Sequence, residues 1–251
     1  MMLGGCVAKP MHSMDVHHVT GSQWKDQVEA MSSVRLDGLV QLDYKDEDGR
    51  HRVQGDMDLL LDEGTRSSVR ITKASELILW GGQTGSDAWM IDFTEMPPRY
   101  SGRRQAGSGS LIPDAMVLRL LLAMEVFPDE SVRIQGQDEI LVRSIHRIGG
   151  EDAEVETRFD LVEGRPNGVV VTHPLFGTWR STHHWTTGQT RLEGTQGRPL
   201  ARVVDVIGPD ETVVKINTVH ASIPGEAFLL SKSHWFDPDQ IAAHYGAVEI
   251  K

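Results

Sequence analysis

Between Ala115 and Met124 the sequence reads AMVLRLLLAM, and its only charge is Arg119. A surface helix carries one apolar stripe, whereas here Met116, Val117, Leu118, Leu120, Leu121, Leu122 and Met124 cover nearly the whole circumference. Such a helix must be covered on more than one side, so it dictates what the rest of the chain provides. The pattern runs over Ser110–Phe127, with Pro113 suited to a first turn and Pro128 as a stop. At about 14 residues it is shorter than the roughly 17–25 that cross a bilayer. It reads as a buried plug.

The segments on either side have period two. Val34, Leu36, Val40, Leu42 and Tyr44 alternate with Arg35, Asp37, Gln41 and Asp43, and after a hairpin signal at Asp48-Gly49 the partner alternates Val53, Met57, Leu59 and Leu61 with Gln54, Asp56 and Asp58. Further strands are expected at Arg66–Thr72, Glu76–Trp80 and Ala88–Phe93, with a Gly-rich turn over Gly81–Asp87 and an end at Pro97-Pro98. Arg99–Gly109 reads as a flexible basic loop that could serve as a lid hinge or an anionic head-group contact. A second run follows at Ser131–Gln135, Glu139–Ile148, Glu154–Val162, Val169–Leu175, Trp179–Thr187, Arg198–Ile207 and Glu211–Ala221. Ile223–Leu230 and Asp239–Tyr245 stay unassigned. Ser22–Ser33, with Trp24, Val28 and Met31 on one stripe, predicts an amphipathic helix. The fold class expected is α+β: a long curled antiparallel sheet, an unclosed half-barrel of about 11 strands, with helices covering its concave apolar face.

With 36 acidic against 25 basic residues the formal charge is −11, which sets nucleic acid aside as a partner. The single cysteine excludes a disulfide framework and a cysteine-rich zinc site. Leu3-Gly4-Gly5-Cys6 resembles the lipobox of bacterial lipoproteins, which implies acylation of Cys6. Residues 1–21 are then an N-terminal tether and residues 22–251 one domain.

The chain resembles the lipoprotein-carrier family of LolA and LolB and the sensor domains that share its fold. The resemblance is one of element order over about Ser22–Leu230. It is helped by the helix-to-strand junction at Met31–Tyr44, the LILW and AWMIDF strands, and IPGEAF, whose Pro224 and Phe228 look like the family's Pro-x-x-x-Phe ending. It implies a non-enzymatic protein of the cell envelope that holds a lipid or lipoprotein acyl chain. With the lipobox, it also implies a lipid-anchored protein facing the periplasm, at the outer rather than the inner membrane. No cofactor is expected, and the oligomeric state is left open. The expected cavity lining is Val34, Leu36, Val40, Leu42, Val53, Met57, Leu59, Trp80 and Trp89 on strands, with Met116, Leu120 and Met124 from the lid; each could equally be an ordinary core residue. An envelope-stress sensor of the same fold is the neighbouring alternative.

From another class, a metal-dependent hydrolase or cupin-like enzyme would need histidines. His173, His183 and His220 lie on expected strands and could converge with a carboxylate such as Asp205. Adjacent pairs, His17-His18 and His183-His184, point to opposite faces of a regular strand and cannot easily chelate one ion. HExxH and the Gly-x-Ser-x-Gly elbow are both absent. Glu154 and Glu156 fall on a polar strand face as solvated charge.

Overall fold

The computed structural model describes residues 31–46, 49–105, 113–125, 132–136, 138–160, 165–185, 190–193 and 199–249. The expected tether, Cys6 and most of the N-terminal helix lie outside these residues. Of that helix, Met31 and Ser32 are irregular and Ser33 already opens a strand.

The first meander is β1 (Ser33–Asp46), β2 (Gly49–Asp62), β3 (Arg66–Lys73), β4 (Glu76–Thr84), β5 (Asp87–Asp92) and β6 (Arg99–Gln105). The second is β7 (Val132–Gln135), β8 (Glu139–Ile148), β9 (Glu151–Asp160), β10 (Arg165–His173) and β11 (Gly177–His184). β14 (Val203–Ile207) and β15 (Val213–Ser222) join them: β15 pairs with β1, and β14 pairs with β11. The short β16 (Val248–Glu249) runs parallel to the outer edge of β6. Fourteen strands thus follow one another across the sheet, in the order β16-β6-β5-β4-β3-β2-β1-β15-β14-β11-β10-β9-β8-β7. Two more, β12 (Thr190–Glu193) and β13 (Pro199–Leu200), branch off beside β15.

The row holds 14 strands rather than about 11, with β6 and β16 not expected from the sequence, and two expectations fail. Arg99–Gln105 is strand β6, not a loop. Beyond Arg99 and Tyr100, which pair with β16, its basic composition suits the edge of a sheet, where charge discourages pairing with another chain. Gly81 and Gly82 belong inside β4, not to a turn. A Cβ on Gly82 would lie 2.1 Å from the carbonyl oxygen of Ser67, so the glycine serves a close approach of backbones.

Two short helices lie in the C-terminal region, α2 (Glu226–Ser231) and α3 (Pro238–Tyr245), with a 3-10 turn at Ser233–Phe236 between them. The apolar stretch forms α1 (Ala115–Leu121), half as long as expected. Asp114 caps its start, and Ala123 in the left-handed region (φ 53°) turns the chain at its end. No described helix is long and apolar enough to cross a membrane.

Alternation sorts the sheet into two faces. Val34, Leu36, Val40, Met57, Leu59, Ile71 and Leu79 share one cluster with Val142, Val155, Val171, Val204, Ile216 and six residues from α1 and the turn after it. The opposite face carries a second cluster of Leu60, Trp80, Trp89, Ile91 and Tyr100 under Trp235, Phe236, Ile241 and Ala242. The curl depends on backbones that nearly touch. At Gly38, beside a register shift between β1 and β15, a Cβ would lie 2.2 Å from the carbonyl oxygen of Asn217. Gly38→Ala is therefore expected to lower unfolding stability by about 1–3 kcal/mol, read as a shifted urea midpoint. Gly225→Ala, where a Cβ meets nothing within 4 Å, should leave the midpoint nearly unchanged.

Candidate functional site

The candidate site is the strap that α1 makes across the sheet. At its start, the buried Gln83 of β4 donates from Nε2 to Asp114 Oδ2 at 2.7 Å and accepts from the Ala115 N–H through Oε1. Asp114 Oδ1 in turn accepts the Met116 N–H at 2.8 Å. At its far end the carbonyl of Leu121, one of the last-turn acceptors a helix leaves unpaired, sits 2.8 Å from Nε2 of His183 on β11. β4 and β11 are six strands apart in the sheet, about 29 Å if it were flat, whereas α1 rises only about 9 Å from Ala115 to Leu121. Both contacts can form only because the sheet curls around the helix. The face that α1 covers is the concave one.

Midway, Arg119 ties the strap to the entry of β1. It is 4 % exposed, and its guanidinium donates to the carbonyls of Met31 (2.7 Å), Ser32 (2.9 Å) and Met124 (3.1 Å) and, through Nε, to Glu125 (2.8 Å). The Ser32 carbonyl also accepts from the Glu63 N–H, and Ser33 Oγ donates to Asp62, which pairs with Arg66. One polar node therefore joins the β2–β3 turn, the start of β1 and α1. Sequence reasoning noticed Arg119 only as a blemish in an apolar run. An arginine alone in such a run is itself the signal, because a buried cation requires acceptors.

Of the expected lining, Val34, Leu36, Val40, Met57, Leu59, Leu120 and Met124 gather in the concave cluster, with Val53 and Met116 packed against it. Leu42 is buried on the same parity of β1. Trp80 and Trp89 are not among them. They lie on the convex face, where Trp80 Nε1 donates to Ser68 and its ring meets Trp235 edge-on at 6.1 Å.

That convex face holds a shallow groove of about 470 Å³ lined by Asp37, Leu39, Asp56, Asp58, Arg70, Thr72 and Val219 among others. Arg35 pairs with Asp58 and Asp37, and its hydrogen bond to Asp58 holds the guanidinium above its ordinary range. Arg70 lies over the rings of Trp80 and Trp235 at 4.8 and 4.9 Å.

The three histidines are not brought together. His173 Nε2 donates to Ile148 O at 3.0 Å while its Nδ1 accepts the N–H groups of Leu175 and Phe176, which makes it a turn clamp in the second meander. His183 is the partner of α1, and His220 lies 3.5 Å from Asp37 on the convex side. Asp205 pairs with His184 and Lys215. Among the described residues no three of His, Cys, Asp or Glu group as a metal site requires.

No protein-family model matches the chain, and no curated protein matches it in sequence. Solved structures do resemble it. A LolA superfamily protein of Nitrosomonas europaea aligns at 12% identity and a TM-score of 0.48, over 82% of this chain and 94% of its own. A domain named for outer-membrane lipoprotein sorting, from Vibrio parahaemolyticus, aligns at 11% and 0.49 over 88% and 99%, and a DUF1329 family protein of Desulfovibrio piger at 9% and 0.43 over 88% and 96%. These are likenesses of fold. The curled, unclosed sheet with a helix on its concave side, implied by the resemblance to LolA and LolB, is the architecture described above.

Removing the cation at the node takes the Arg119 donor from the carbonyls of Met31 and Met124 and from the Glu125 carboxylate, and leaves the Ser32 carbonyl with the Glu63 N–H alone. Arg119→Met should cost about 3 kcal/mol in denaturant unfolding. Arg119→Lys should recover only part of it, since an ammonium lacks the planar fork that reaches several acceptors.

Proposed function

We propose that this is a non-enzymatic binding protein of the cell envelope that takes up an acyl chain, of a lipid or of a lipoprotein, between the concave face of its sheet and α1. The observation that carries the reading is the nature of the cover. Among the described residues, a continuous apolar face drawn from both meanders is spanned by one seven-residue helix, and that helix is fixed by polar contacts at its two ends and its middle. A helix held this way can lift as a unit once those contacts exchange with water. Lifting it uncovers Leu36, Val40, Leu59 and their neighbours together. An acyl chain gains about 0.8 kcal/mol per buried methylene, so eight methylenes supply about 6 kcal/mol toward displacing the helix. Binding of this kind requires no catalytic group. Acylation of Cys6 would tether the domain to the membrane, facing the periplasm at the outer membrane, within reach of lipid donors.

The direct measurement is titration of the delipidated protein with a fatty acid carrying an environment-sensitive fluorophore. Saturable uptake is expected for the native chain, and Leu120→Asp, which places a charge in the contact between α1 and the sheet, should lower affinity at least tenfold. Circular dichroism on the same samples separates lost binding from lost fold. Absence of saturable uptake by the folded native protein would overturn the reading. In cells, Cys6→Ala should move the precursor out of the membrane fraction.

A further inference from the structure

We propose that His183 is a proton-operated latch on α1: the neutral ring holds the helix closed through the Leu121 carbonyl, and protonation of the ring favours the lifted state. This rests on the reading of α1 as the cover of an acyl site and names how that cover is regulated. The geometry is specific. His183 is 5 % exposed, and both ring nitrogens face backbone carbonyls, Nε2 toward Leu121 at 2.8 Å and Nδ1 toward Pro166 at 3.2 Å. A neutral imidazole donates from one nitrogen only. The Pro166 carbonyl already receives the Trp185 indole N–H at 2.7 Å, whereas the Leu121 carbonyl is a helix-end acceptor. The one proton of the neutral ring therefore belongs on Nε2, and Leu121 is its acceptor.

Apart from the Leu121 and Pro166 carbonyls, little around the ring would help it carry charge. On β11 itself its neighbours are the Ser181 hydroxyl, 3.2 Å from Nε2, and His184, which pairs with Asp205 of β14 on the other face. On β10, Arg165 lies over the Trp185 ring, whose edge meets His183. The only charge on α1 is Arg119, already taken by Glu125 and the carbonyls of Met31, Ser32 and Met124. Among the described residues no carboxylate faces the imidazole. Burial pushes the His183 imidazole below its ordinary range, more than its contacts with Leu121 and Pro166 raise it. When α1 lifts, water reaches the ring and its affinity for a proton returns to the ordinary value, near about 6.5. The lifted state then binds more protons, so closure is strongest above that value and weakens as the pH falls below it.

The test is amide hydrogen exchange on the full chain between about pH 5.5 and about pH 7.5, corrected for intrinsic exchange rates. Peptides covering 115–124 are compared with peptides from β1 and β2. Acidification should lower protection of α1 about threefold to tenfold while the reference strands hold. His183→Gln keeps an N–H donor for Leu121 but does not titrate, and should flatten the profile. A flat native profile, a profile that survives in His183→Gln, or protection that rises with acid would each overturn the latch. Uptake of the fluorescent fatty acid, measured on the same samples, keeps the two readings apart. Uptake with a flat profile removes only the latch, whereas absence of uptake at both pH values removes the site.

Discussion

Everything in this structure depends on keeping water from the concave face of a sheet that does not close. A closed barrel would do this with its own strands, but here the row ends at β16 on one side and β7 on the other, and the interior must be covered by something else. The chain uses α1, too short to act as a layer and therefore held as a strap. Its ends reach strands six places apart, which is possible only when the sheet is curled, so the strap and the curl require each other.

The strap is fastened by polar groups inside an apolar setting. Gln83, Arg119 and His183 are all buried, and each satisfies backbone or cap groups that would otherwise lie unpaired. Such contacts contribute little net stability when formed, yet leave costly orphans when one partner is removed. They select a unique position for α1. Purely apolar packing on a smooth sheet would have allowed the helix to slide. In the proposed acyl-binding role the same property makes the closed state definite and the number of contacts to be broken small.

The two faces of the sheet have different tasks. The convex side of the first meander is sealed by the C-terminal helices, with Trp80 stacked edge-on against Trp235 and Arg70 against both rings. That second core stiffens β2 to β6 without calling on α1. Movement of the strap therefore need not unravel the sheet beneath it.

Periodicity made most strands legible: β8 falls on Glu139–Ile148 as expected, and the alternation in β1 and β2 named the concave residues correctly. Parity is a local property, so it survives in any fold. What alternation cannot state is which neighbours a strand will have. The run Leu77–Trp80 is apolar on both parities, the mark of a strand covered on both faces, yet only the arrival of Trp235 and Phe236 some 150 residues later places Trp80 on the outer one. Likewise the sequence by itself determined that a nearly all-apolar helix would be buried between two strand runs. The tertiary structure alone decided that β15 joins β1, that the sheet curls tightly enough for Gln83 and His183 to hold opposite ends of that helix, and that Arg119 finds its acceptors at Met31 and Ser32. Those are contacts between residues from about 30 to nearly 190 positions apart, set by the closure of the whole sheet and not by any local preference.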